Sequence, residues 1–227
     1  DWLSYGEDRE VNGDQLGALG AYRSGLQVNP RDLSLLRASA RLEVSLGHHL
    51  LGVQHHAQPG VVSITQSTEL GTLSTADEVA ALCATAHRMG MVVHLDGARI
   101  ANATAALGGT VAALRSFTVD AGVDVVSFGG TKAGLVGGEA VVYLNPALAK
   151  RAVFVRKMVN QLPSKMRFVA AQFNALLHDD LWIRSAAQSN AMATRLYELT
   201  RDIPGVQYDH APQVNSLFPV LPADAIT

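Results

Sequence analysis

Cysteine, net charge and long apolar runs are all scarce in this chain, and each scarcity removes a class of protein. A single cysteine, Cys83, cannot close an intrachain disulfide. It falls on the apolar side of a predicted helix, so it reads as a small core residue in a reducing compartment. A formal net charge of −2 offers no field for nucleic acid. The local basic stretch of Lys150, Arg151, Arg156, Lys157, Lys165 and Arg167 reads first as a solvated helix face. The most apolar stretches, Val123 to Phe128 and Met91 to Leu95, are strand-length and bounded by glycine or charge, so no membrane span is expected. The first residues do not read as a signal peptide, and a cytoplasmic protein is expected. Four histidines, His48, His49, His55 and His56, crowd one region, but no spacing supplies a fixed tetrahedral set, and no metal site is expected. What is abundant is apolar side chain, 48% of 227 residues, enough for one large domain or two small ones.

The pattern changes along the chain. Residues 1–47 read as paired short helices, with Trp2, Tyr5, Gly6, Ala18, Tyr22, Leu26 and Pro30 at offsets that resemble a tetratricopeptide repeat. A second unit starts at Leu33 and stops after its first helix. Such units are stabilised by stacked neighbours, so this segment is expected to be an interaction module or a generic helical hairpin. From about Gln58, strands and helices alternate. Val61 to Thr65 is strand-like, and Thr75 with Glu78 forms a capping box ahead of Val79, Leu82, Cys83 and Ala86 at helical spacing. Gly90 suits a left-handed stop before a buried strand from Met91 to Leu95. Helices near Ile100 and over Val111 to Phe117 lead to a strand from Val123 to Phe128, and Glu139 to Leu144 is another strand. Helices are predicted over Ala147 to Met158, Ser164 to Leu177 and Leu181 to Ile203. Pro204 and Gly205 mark a boundary. Three regions are therefore expected: a helical repeat-like segment over 1–47, an α/β domain over 48–204 with a mostly parallel sheet, and the start of a small α/β domain over 205–227.

Two runs carry chemistry. His94-Leu95-Asp96-Gly97-Ala98-Arg99 and Ser127-Phe128-Gly129-Gly130-Thr131-Lys132 each leave a strand at its carboxyl end, where ligands bind in open α/β sheets. Singly, an aspartate before a helix reads as a cap and a lysine after two glycines as a solvated loop residue. Together they are what a pyridoxal phosphate site needs: an amine for a Schiff base and a carboxylate for the pyridinium nitrogen.

These runs, with Ser63-Ile64-Thr65-Gln66, Arg156-Lys157-Met158 and Met166-Arg167, resemble the low-specificity threonine aldolases among the fold-type I pyridoxal phosphate enzymes. The resemblance covers about three quarters of the chain, from His55 onward. It implies a partial fold-type I large domain and a lyase that cleaves L-threonine and L-allo-threonine to glycine and acetaldehyde. It further implies that Lys132 carries the Schiff base, that Asp96 holds the pyridine nitrogen and that Arg99 binds the substrate carboxylate as a planar fork. His55 or His56 would be the base near the substrate hydroxyl. Lys157 and Arg167 match positions through which a neighbouring subunit approaches the cofactor phosphate, so a homo-oligomer is implied. Ala133 stands where relatives often carry asparagine. The phosphate-cradling Gly-Thr or Gly-Ser turn is not found ahead of Val61, and the C-terminal end stops before the family's second carboxylate-binding arginine. The chain is thus expected to be an aldolase truncated at both ends, with the helical segment as a further protein-binding element. The alternatives are a catalytically incomplete remnant, or a related β-eliminating lyase or aminotransferase.

Overall fold

The computed structural model of the chain describes residues 1–29, 32–45 and 59–223. Two compact units result, Asp1–Gln58 and Pro59–Thr227.

The first unit is built of three helices, α1 (Trp2–Val11), α2 (Gln15–Val28) and α3 (Leu33–Ser45). Asp1 and Asp14 cap the first two through their side chains, satisfying amide groups that a helix start leaves open. Its core is Ala18, Leu19, Tyr22, Leu35 and Ala38. Gly6 leaves the space that the Tyr22 ring fills, since a Cβ there would lie 2.1 Å from it. The Tyr22 hydroxyl donates to Glu10 at 2.5 Å, and Glu10 also accepts from Arg41 at 2.6 Å. Burial, and then the Glu10 carboxylate, push the tyrosine up to about 12.

The second unit carries a four-stranded sheet in the order β1-β2-β3-β4, with β1 (Val61–Thr65), β2 (Val92–Gly97), β3 (Val125–Gly129) and β4 (Glu139–Tyr143). The first three strands are parallel and β4 returns antiparallel. Between them lie α4 (Ala76–Arg88), α5 (Ile100–Ala106) and α6 (Val111–Ser116). The capping box at Thr75 and Glu78 is formed, and Gly90 ends the turn after α4 at φ +73°. Strand alternation decides the two faces of the sheet. Val93, Leu95 and Val126 pack with Val79, Cys83, Ile100 and Phe117 into a core in which each side chain is nearly inaccessible. Each contributes roughly 1.5–3 kcal/mol when it leaves water. Ser63, His94, Asp96 and Ser127 alternate onto the opposite face.

Most element boundaries lie within a few residues of expectation, and three of the differences have a physical reason. β2 runs on through Asp96 and Gly97, because these pair with Ser127 and Phe128 of β3. β3 starts at Val125, since the Val123 amide closes a turn onto Thr118 and the Asp124 amide bonds Val93. The stretch expected as one helix from Ala147 divides into a 3₁₀ segment, Pro146–Arg151, and α7 (Ala152–Met158). None of its side chains is buried, so no packing enforces one helical axis. The basic residues of this stretch and of α8 (Met166–Leu177) are exposed. α9 (Leu181–Thr200) delivers Trp182, Ile183 and Ala186 to a second apolar cluster with Leu176 and Ala101. Beyond Pro204, a short ribbon of β5 (Gln207–Tyr208) and β6 (Pro219–Val220) follows. Tyr208 meets Thr200 at 2.7 Å, and the Gln213 side chain accepts from the Leu73 amide at 2.7 Å. Val214 is buried, so this tail packs within the same unit.

Candidate active site

Asp96 and Lys132 stand at the carboxyl ends of adjacent parallel strands. Asp96 lies in register between Thr65 of β1 and Ser127 of β3. Its Oδ1 accepts from the Ala98 amide at 2.9 Å. Among the described residues no other hydrogen bond reaches the carboxylate, so its second oxygen is open. The local chain explains this posture, because Asp96 and Ala98 close a short Asx-type loop that turns the strand toward α5.

Lys132 sits in a one-turn 3₁₀ helix, Thr131–Ala133, directly after β3. The turn is anchored around the lysine rather than by it. Ala133 and Leu135 pack against the cluster of Leu176, Trp182 and Ile183, beneath which Phe128 meets Trp182 edge-on at 5.4 Å. The Thr131 hydroxyl accepts from the Gly138 amide at 3.1 Å, and the Gln172 side chain accepts from Val136 at 2.9 Å. Lys132 itself is exposed and makes no hydrogen bond or ion pair among the described residues. Gly129 brings the two strand ends together, since a Cβ there would lie 2.6 Å from the Ala98 carbonyl oxygen. The glycine is thus required by close backbone approach.

Arg99 follows Asp96 at the start of α5, with its side chain mostly buried. Its nearest acid is the exposed Glu69, 3.8 Å away on the loop after β1. An ion pair at that distance with a solvated partner is worth little, which leaves the guanidinium available. Lys157 and Arg167 lie on α7 and α8, both exposed, and no contact among the described residues joins them to Asp96 or Lys132. His55 and His56 lie outside the described residues. No group of three or more His, Cys, Asp or Glu side chains converges as metal ligands among the described residues.

One group went without a role in the sequence reading. His94 bridges two strands, with Nδ1 at 2.8 Å from the Ser63 hydroxyl and Nε2 at 2.8 Å from the Ser127 hydroxyl. The signal was present in the alternation of β2, which puts residues 94 and 96 on one face. Its partners were not, because they come from separate strands.

Residues 32–222 match the family model described as beta-eliminating lyase. The chain belongs to the beta-eliminating lyase family. The match begins at Asp32, inside the helical unit. Within the family, the chain is 40% identical over 215 residues to the low specificity L-threonine aldolase of Pseudomonas sp. strain NCIMB 10558, covering 93% of this chain and 60% of that protein. The Pseudomonas aeruginosa protein of the same name is 38% identical over 222 residues, covering 97% and 62%. The chain thus spans about 60% of the length of the curated relatives it matches. Among solved structures, the threonine aldolase of Leishmania major superposes with a TM-score of 0.69 at 31% identity, over 76% of this chain and 49% of that one. A putative L-allo-threonine aldolase of Listeria monocytogenes shares the fold, with a TM-score of 0.54 at 19% identity over 73% of this chain and 45% of the other. A mostly parallel sheet flanked by helices is therefore the family's fold in this chain.

Proposed function

We propose that the α/β unit is the cofactor-bearing part of a pyridoxal 5'-phosphate lyase that cleaves the Cα–Cβ bond of L-threonine and L-allo-threonine to glycine and acetaldehyde. The observation that carries this reading is the pairing of an open carboxylate oxygen on Asp96 with an unpaired amine on Lys132 at neighbouring strand ends. The donor set fits the cofactor: an amine to attach its aldehyde, an anion for its ring nitrogen, and a cation for an amino-acid carboxylate. When bound, pyridoxal phosphate supplies an electron sink for the breaking bond.

Each residue then has a defined task. Lys132 Nζ would hold the cofactor, on a turn fixed by the Thr131–Gly138 hydrogen bond and by the packing of Ala133 and Leu135. Asp96 keeps a positive charge favourable at the ring nitrogen through its open oxygen, while the Ala98 amide holds the other oxygen still. Arg99 exchanges its loose contact with Glu69 for a bidentate grip on the substrate carboxylate. The substrate hydroxyl must lose its proton as the carbon–carbon bond breaks, and His55 or His56 is the proposed base by resemblance. Lys157 and Arg167 are proposed to approach the phosphate of a second copy, which makes the working unit a homo-oligomer. Names of relatives support this substrate class, at 38–40% identity.

A second reading, β-elimination, is favoured by the description of the matching family model. Product analysis separates the two. With threonine and added cofactor, bond cleavage yields acetaldehyde and glycine, whereas β-elimination yields 2-oxobutanoate and ammonia. Acetaldehyde release with a visible absorption band that borohydride abolishes is the expected result. Absence of the band would leave the chain an incomplete remnant.

A further inference from the structure

Asp96 is flanked in register by two hydroxyl residues, Thr65 and Ser127, and hydrogen-bonds neither. An ionised carboxylate beside a free hydroxyl ordinarily takes its proton into a hydrogen bond, since charge-assisted bonds are the stronger ones. Thr65 is β-branched and stiff about its first side-chain torsion, so its strand conformation limits where the hydroxyl points. Ser127 has no such restriction. What occupies it is His94, at 2.8 Å, whose other ring nitrogen is tied to Ser63 at 2.8 Å. A neutral imidazole donates at one nitrogen and accepts at the other, so both serines can be satisfied at once. Ser63 is exposed and can exchange its partner for water, whereas Ser127 is half-buried beside Asp96.

We infer that His94 is a positioning residue, which holds the Ser127 hydroxyl away from Asp96 and so keeps one carboxylate oxygen free for the ring nitrogen of a pyridine cofactor. The inference rests on the cofactor reading above. Without His94, the Ser127 hydroxyl turns to Asp96 and competes with the ligand for the same oxygen. The consequence is a specific non-additivity: removing His94 harms binding only while Ser127 retains its hydroxyl. A histidine that merely braced the sheet would show no such dependence.

The experiment has two arms. Affinity for pyridoxal 5'-phosphate is measured by equilibrium dialysis on the full chain for the parent, H94A, S127A and H94A/S127A. His94→Ala should weaken binding by about tenfold or more, the worth of one charge-assisted bond gained by the competitor. The double variant should recover most of that loss, and H94Q, which keeps a donor and an acceptor, should lose little. A loss in H94A that S127A fails to reverse, or no loss at all, would overturn the inference. The second arm needs no cofactor: in a crystal structure of unliganded H94A the Ser127 hydroxyl should lie at hydrogen-bond distance from Asp96, and a hydroxyl still turned away would overturn the inference as well. Should H94A not fold, H94L fills the space without either bond and serves in both arms. Failure of the parent to bind the cofactor would defeat the functional reading, while the crystallographic arm still decides the role of His94.

Discussion

At the amino end of β3, Asp124 receives three hydrogen bonds on its side chain, from the Val93 amide at 2.8 Å, His87 at 2.8 Å and Asn145 at 2.9 Å. At the carboxyl end of β2, Asp96 receives one, from the Ala98 amide. The two aspartates belong to the same sheet, but one has both carboxylate oxygens bonded inside the protein and the other has only one. Burial pushes the Asp124 carboxyl up, yet the bonds from Val93, Asn145 and His87 together outweigh that and hold it below the ordinary value. Asp124 thereby pins β2, β3, α4 and the segment after β4 to one point. The contrast separates two jobs for one residue type in this unit: Asp124 is tied to its neighbours on both oxygens, whereas Asp96 keeps one oxygen without a hydrogen bond among the described residues.

The sharpest test of the open end is Lys132→Ala. It should abolish the covalent label left when borohydride reduces the chain in the presence of pyridoxal phosphate, as read by peptide mapping. A label found instead on Lys150, Lys157 or Lys165 would remove Lys132 from the site. Next in size is Asp96→Asn. It should slow acetaldehyde release from threonine on the order of a hundredfold or more, the scale of a lost electrostatic contribution in a preorganised site. Its unfolding free energy should stay within about 0.5 kcal/mol of the parent, because the asparagine oxygen still accepts from the Ala98 amide. A large stability loss would make Asp96 a structural residue like Asp124.

Asp124→Ala should behave in the reverse way. It leaves the Val93 amide and the Asn145 side chain without their acceptor, and urea unfolding should register a loss of about 3 kcal/mol. The smallest effect is the pH dependence of the same site. A carboxyl whose folded value lies below its unfolded value of about 3.9 adds stability above that pH, and the contribution disappears as pH falls through the folded value. Asp124→Asn should therefore unfold with a flatter dependence on pH in that acid range than the parent. Equal slopes would show that the Asp124 network adds nothing to acid stability.

Much of this division was legible along the chain. The apolar run Met91 to Leu95 after Gly90 announces a buried strand, and a capping box at Thr75 fixes where α4 begins, while the polar face that His94 and Asp96 share went unread. Asp96 and Lys132 were placed at strand ends by these local patterns alone. The division at Ala152 was not legible, because Ala147 to Met158 has unbroken helical propensity and the change of helix type reflects missing packing. Asp124 was likewise hidden: in sequence it is an acidic residue entering an apolar run, with nothing nearby to reveal a buried anchor.

Local patterning thus determined the order and type of most elements, many of the side chains that face the core, and the positions of an amine and a carboxylate near strand ends. Which strands are neighbours was decided only by the tertiary structure. Pairing β2 between β1 and β3 brings Ser63 and Ser127 to the two nitrogens of His94, and Ser127 beside Asp96. The physical reason is that alternation has a period of two in every strand and fits any partner, whereas register is a long-range choice made by burying the common apolar face. The helical unit shows the same limit, because its spacing announces paired helices, while the Tyr22, Glu10 and Arg41 contacts that join α1, α2 and α3 exist only once the helices pack.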